Sequence, residues 1–141
     1  MERETLTSEI VMNNPEGSVE MMKNQPEVFW SFFDTIGRRS LSRTTVAELK
    51  LPRGVDVIEP EACINNDHIT VVDARFVKYI GDRAFAHCKN LETIYLPQNL
   101  TMSAGDKGPF YGCSNVKKIA YCDENGKVAQ EYVHDPYSFI D

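Results

Sequence analysis

The sequence predicts a repeat solenoid of about three to four turns, mostly β with short turns and helices, closed at its N-terminal end by an amphipathic helix. Three observations predict it. Cys63, Cys88 and Cys113 follow one another at two equal steps of 25 residues. An apolar phrase recurs: Leu91-Glu-Thr-Ile94-Tyr-Leu96-Pro97 matches Val46-Ala-Glu-Leu49-Lys-Leu51-Pro52, with weaker copies starting at Ile69 and Val116, so that the starts fall 23, 22 and 25 residues apart. A second phrase goes before it. Ile80-Gly81-Asp-Arg83-Ala84-Phe85-Ala-His-Cys88-Lys-Asn90-Leu91 is echoed by Gly108-Pro-Phe110-Tyr-Gly-Cys113-Ser-Asn115-Val116, and more faintly by Ile58-Glu-Pro-Glu-Ala62-Cys63 and Ile36-Gly37-Arg-Arg39-Ser40-Leu41.

A unit of 22 to 25 residues has room for one short strand and a compact turn, and it cannot bury its own apolar face, so copies must stack. Within each strand, two apolar residues spaced by two, such as Ile94 and Leu96, point inward while the residue between them faces out. Pro52 and Pro97 end their strands because proline cannot donate to the ladder. Gly37 and Gly81 are expected where a side chain would obstruct a backbone bend. Phe85 and Phe110 are expected to fill the space between turns.

At these residues the chain resembles the BspA-like leucine-rich-repeat family, whose units read roughly L-x-x-I-x-L-P followed by x-x-L/V-T-x-I-G-x-x-A-F-x-x-C. The match covers residues 36–121 and is closest from Ile80 to Thr101. It departs from the pattern at 69–79, which lacks the proline, and at 102–110, where Met102-Ser-Ala-Gly-Asp-Lys-Gly-Pro-Phe110 replaces the Ile-Gly step. The resemblance implies a short leucine-rich-repeat-like stack that serves as a binding scaffold, in this family often at cell surfaces.

Solenoids need caps, since a first or last layer would otherwise expose core. Residues 26–36 have apolar side chains at i, i+1, i+4, i+5 and i+8, counted from Val28, with Pro26 before them and Gly37 just after. The spacing predicts an amphipathic capping helix, with Trp30 on its flank as a contact for a partner or a second copy. Residues 1–25, acidic and with few large apolar groups before Met21, are expected to be loosely ordered. At the other end, Asn125-Gly126 signals a tight hairpin turn. Val128 to Val133 then reads as a final strand or short helix, and Asp135-Pro136 as a break, within an acidic C-terminal cap or tail over 122–141.

Length and charge exclude several functions. A chain of 141 residues closes one core, and no apolar run approaches the ~20 residues that cross a bilayer. The opening Met1-Glu2-Arg3-Glu4-Thr5 lacks a basic start and apolar stretch. That points to the cytoplasm, or to the cell surface for a trimmed form. The net charge of −6 divides into −4 over residues 1–27, +2 over 28–121 and −4 over 122–141. Such a distribution argues against direct nucleic-acid binding, which needs a dense basic surface.

Catalytic and metal signals are weak. Cys88 beside His87 and near Cys113 is the one Cys–His combination, but neighbours on a turn face opposite ways, and Cys88 and Cys113 fall where the repeat needs a small apolar group. The cysteines contain no C-x-x-C pair, and His68 and His134 lack metal-ligand spacing. In Asp123-Glu-Asn125-Gly126 the glycine comes too early for a calcium loop, and phosphate-binding and nucleophile-elbow motifs are missing. Neither enzyme activity, nor a cofactor, nor a metal is expected.

The expectation is therefore protein–protein recognition by the strand face. Strand alternation places Lys50, Asp73, Tyr95 and Ala120 in one outward stripe, with Arg53, Arg75, Gln98 and Lys118 beside it. Two alternatives belong to other classes. One is a small acidic inhibitor, encoded by a phage or mobile element, whose acidic ends would occupy the basic channel of a host nuclease or defence enzyme. The other is a structural protein that self-assembles or dimerises through its end layers or N-terminal helix.

Overall fold

A short strand leaves N–H and C=O groups unpaired along both edges, and in a repeat the nearest partners are those of the copy one turn away. The protein is built on that pairing. The structure, a computed structural model, describes residues 2–102 and 108–133. Its elements run β1 (Glu4–Leu6), α1 (Ser8–Asn13), α2 (Pro15–Asn24), α3 (Pro26–Trp30), β2 (Phe33–Ile36), β3 (Glu48–Lys50), β4 (Val57–Ile58), β5 (Val71–Asp73), β6 (Tyr79–Ile80), β7 (Thr93–Pro97), β8 (Thr101–Met102), β9 (Lys118–Cys122) and β10 (Val128–Val133). Residues 103–107 of the insertion, His134 and the Asp135-Pro136 pair lie outside the described residues.

Two five-stranded sheets enclose the core. One has the order β1-β2-β4-β6-β8, all parallel; the other runs β10-β9-β7-β5-β3, parallel except for β10 against β9. The solenoid therefore has four layers with two strands in each, where the sequence reading gave one strand and a turn. The Ile-Gly phrase is itself the second strand. Its two residues are too few to show period-2 alternation, and they are strands because copies on either side complete their ladder.

Register sets like on like. Leu49, Val72, Ile94 and Ile119 form one inward column, and Leu6, Ile36, Ile58 and Ile80 form the column facing it. Each is at most 1% exposed, and burying such a side chain contributes about 1.5–3 kcal/mol. Between the turns the Phe85 and Phe110 rings stack with centroids 5.3 Å apart and planes 7° from parallel. Gly37 and Gly81 serve close approach: a Cβ on Gly81 would overlap the backbone of Pro60, and one on Gly37 the carbonyl of Leu6.

The turns repeat a left-handed backbone position. Arg39, Glu61 and Arg83 have φ of 57°, 62° and 56°, and Asn65, His87 and Gly112 follow in a second series at 62°, 59° and 76°. Such conformations cost about 1–2 kcal/mol at a non-glycine residue. Layer-to-layer hydrogen bonds offset the cost, including Arg39 N–H to the Glu61 carbonyl at 3.2 Å and His87 N–H to the Tyr111 carbonyl at 2.8 Å. The Glu61 carboxylate accepts from both Arg38 and Arg39. Hydrogen bonding to Arg38 is the largest influence on its carboxyl, which is held below its ordinary value against the opposing effect of partial desolvation.

The N-terminal segment differs from expectation in two ways. Residues 1–25, expected to be loosely ordered, contain β1 and two capped helices. The Thr7 and Asn14 side chains accept from the N–H of Ile10 and Gly17, Pro15 starts α2, and Leu6, Val11 and Met22 are buried. The helix expected over 26–36 stops at Trp30. Residues 33–36 instead pair with β1 and β4, so ladder bonding along both edges overrides a helical apolar pattern. Met22, Phe29 and Trp30 still join the core of the first layer. At the far end the Asn-Gly hairpin forms, with β10 antiparallel to β9.

An asparagine ladder ties the turns together. The Asn66 amide donates to the carbonyls of Leu41 (2.8 Å) and Thr44 (3.3 Å), and its oxygen accepts from the N–H of His68 and Ile69. Asn90 and Asn115 each donate to one carbonyl of the preceding layer. Asn66 is buried while the other two are exposed. Removing a buried hub leaves several backbone groups unpaired, whereas a surface bond is replaced by water. Asn66→Ala is therefore expected to lower stability by about 3 kcal/mol and Asn90→Ala by about 1 kcal/mol or less, as read from urea unfolding. Equal effects would contradict this account of the ladder.

Candidate functional site

The sheet β10-β9-β7-β5-β3 presents side chains to solvent from every layer, and its register decides which of them meet. Lys50 lies beside Asp73, Asp73 beside Tyr95 and Tyr95 beside Ala120, so the column expected from strand alternation forms. Its members differ in exposure. Lys50 is exposed, Asp73 and Tyr95 are half-buried, and Ala120 is fully buried between its register neighbours Tyr95 and Glu131. Ala120 is too short to reach past them and contributes no outward surface.

Tyr95 is the centre of a charged cluster. The Arg75 guanidinium lies over its ring at 4.7 Å and the Lys118 ammonium at 5.4 Å. Arg75 is also bound by Asp73 through both carboxylate oxygens, Nε to Oδ1 at 2.9 Å and Nη2 to Oδ2 at 3.0 Å, and its Nη1 donates to the Gly126 carbonyl at 2.7 Å. The pair is largely covered, at 24% and 20% side-chain exposure, and the Asp73 contact pushes the Arg75 pKa above its ordinary value. Arg75 is a fixed fork in which each of the three nitrogens makes one hydrogen bond. Lys118 also meets Glu131 at 3.6 Å, and Lys50 meets Glu48 at 3.5 Å. The Lys50–Glu48 contact is well exposed and contributes little by itself.

The remaining predicted residues lie on the edge below the face. Arg53 stacks on the Phe76 ring at 4.1 Å and donates from Nη2 to the Glu124 carbonyl at 3.1 Å. Together with Arg75 and Gln98, Arg53 and Phe76 line a cleft of about 330 Å³. Trp30, expected to be exposed on its helix, is only 1% exposed. It packs edge-on against Phe29 (5.0 Å) and Phe33 (6.4 Å), and the outer positions are taken by Val28 and Phe32. In the short helix Phe29 and Trp30 face the core while Val28 faces out. Phe76 was not recognised from the sequence. The available signal was the apolar residue directly after Arg75, in the turn that leaves the strand.

Comparison with family models matches six copies of the BspA-type leucine-rich-repeat region over residues 28–135. The chain belongs to the BspA-type leucine-rich-repeat family. Comparisons with curated proteins and with solved structures return no match. In this BspA-type chain, among the described residues, no three His, Cys, Asp or Glu side chains converge as metal ligands. No helix among them is long and apolar enough to cross a membrane. The Asp123 carboxylate is turned onto its own loop, accepting from the N–H of Asn125 and Lys127.

The cysteines of this BspA-type stack are core groups. All four are free and buried. The Cys88 thiol donates to the Cys63 carbonyl and the Cys113 thiol to the Phe85 carbonyl, whereas His87, next to Cys88, is exposed. Burial pushes the Cys63 and Cys122 thiols up. The Cys88 thiol is raised by its contact with Cys113 and by burial. The thiolate is the reactive species, so the native protein at pH 8 is expected to give no fast reaction with a thiol reagent, and four equivalents after urea unfolding. Rapid native labelling at Cys88 would reopen the Cys–His reading.

Proposed function

We propose that this protein is a non-catalytic recognition module that binds a protein partner through the strand face of its solenoid. The observation that carries this reading is the Lys50–Asp73–Tyr95 column, in register across three layers and flanked by Arg75 and Lys118 on Tyr95. A face of mixed charge around one rigid aromatic suits a protein surface, where aromatic and arginine anchors supply most of the binding energy. It offers neither the basic track that a nucleic acid requires nor an apolar sheet for lipid. The Asp73–Arg75 fork holds the face rigid, which lowers the ordering cost of association.

A second reading is the acidic inhibitor. It draws support from Glu2, Glu4, Glu9, Glu16, Glu20 and Glu27, all exposed around the N-terminal helices. Exposed charges act through screened, long-range attraction, so binding dominated by that cap falls steeply with salt, whereas binding by a packed face does not.

The test is affinity capture from the native host with the wild-type protein and with the Lys50→Ala, Asp73→Ala, Tyr95→Ala triple variant, at low and high salt. Thermal unfolding would first establish that the variant folds. The expected outcome is a stoichiometric protein partner, retained at high salt and bound at least about tenfold more weakly by the triple variant, tenfold being 1.4 kcal/mol. Unchanged capture by the variant would remove the strand-face reading.

A further inference from the structure

The edge of the solenoid below β3 holds a second cleft, of about 450 Å³, lined by Arg3, Glu27, Trp30, Pro52, Arg53 and Phe76 among others. That volume is within the range of sites that take a few side chains or a small ligand. Its floor is apolar and aromatic, and its walls carry two guanidinium groups.

Among the described residues Arg3, Arg43, Arg53 and Arg83 have no ion pair, and of these Arg3 and Arg53 line one cleft. Arg38 and Arg39 both pair with Glu61, and Arg75 with Asp73. Among the described residues, neither Arg3 nor Arg53 has a carboxylate within ion-pair distance, although Glu27 lines this cleft and Asp34 and Asp56 line the space on the other side of Arg3. Arg53 is held in one orientation by the Phe76 ring and by its single bond to the Glu124 carbonyl. A guanidinium has five N–H donors, so most of the fork remains open. Arg3 sits against Gly54, the residue next to Arg53, where any Cβ would overlap its guanidinium. Two guanidinium groups thereby line one cleft with Trp30 and Phe76, and their open donors suit an anionic group.

We infer that this cleft binds a carboxylate side chain from an acidic, apolar-flanked peptide segment of a partner protein, with Arg53 as the oriented fork and Arg3 as the second cation. This rests on the protein-recognition reading above and adds the chemistry of one contact at the edge that adjoins the strand face. The apolar floor favours a peptide over a free anion, which could use only the guanidinium groups. A nucleic acid would need a longer basic track than two arginines bounded by Glu27 and Glu124.

The full chain supplies its own reporter, because Trp30 is its only tryptophan and lines the cleft. The probes are the peptide Glu-Leu-Glu-Phe-Glu, its counterpart with glutamine for every glutamate, inorganic phosphate, and a short single-stranded DNA. The Trp30 indole resonance is followed by NMR in the wild-type protein and in Arg3→Gln, Arg53→Gln and the Lys50→Ala, Asp73→Ala, Tyr95→Ala variant. The acidic peptide is expected to shift that resonance, and the glutamine peptide is not. Arg53→Gln should weaken binding about tenfold and Arg3→Gln severalfold, with each variant's far-UV circular dichroism unchanged. The strand-face variant should bind the peptide as the wild type does, so that loss of partner capture in that variant and loss of peptide binding in Arg53→Gln report on different claims. Equal binding of the glutamine peptide, or of the acidic peptide to Arg53→Gln, would overturn the inference. So would displacement of the peptide by equimolar phosphate, a stronger response to DNA, or no Trp30 shift at millimolar peptide.

Discussion

Everything in this protein depends on parallel register between successive layers. Once Leu49 lies beside Val72 and Ile36 beside Ile58, the position of every other side chain follows. A slip of one residue would exchange the inward and outward columns of a strand. The same register aligns the left-handed turn positions at Arg39, Glu61 and Arg83, lets each turn donate to the next, and brings Phe85 onto Phe110. No single layer could bear its left-handed residues or bury its isoleucine without a neighbour.

The outward face is a by-product of this inward constraint. Side chains between buried positions are not fixed by packing, yet the ladder delivers them in straight columns whose successive members lie about 4.8 Å apart. That spacing allows Arg75 and Lys118 to share the Tyr95 ring. A charged surface on loops would have to pay an ordering cost on binding that this face has already met through the core beneath it.

Repeated side-chain phrases and the Asn-Gly turn were legible in the sequence, whereas the shortest strands and the capping segment were not. The Leu49, Ile94 and Leu96 spacing, the stacked phenylalanines and the Lys50–Asp73–Tyr95 column all follow from copies in phase. The two-residue strands at Val57–Ile58 and Tyr79–Ile80 were hidden because nothing in so short a span distinguishes strand from turn. The capping segment misled for a related reason: Val28 to Ile36 has a helical apolar pattern, but partners on both sides convert its second half to a strand. Reading Trp30 as exposed followed from extending that helix. Arg3 was invisible as a site residue because its neighbour Gly54 is distant in sequence and gives no local sign.

In a regular solenoid each layer touches only the next, so strain applied at one end can peel layers off in sequence. Here the loop after β9 folds back along the lower edge. Arg53, from the turn that leaves the first layer, reaches the Glu124 carbonyl, and Arg75, from the second, reaches that of Gly126. Gly126, with φ of +84°, lies so close to Phe76 that a Cβ there would overlap the ring. These contacts act as a clasp between layers that are not neighbours. Pulling on the last hairpin loads the first two turns as well, so the stack is expected to yield as one mechanical unit.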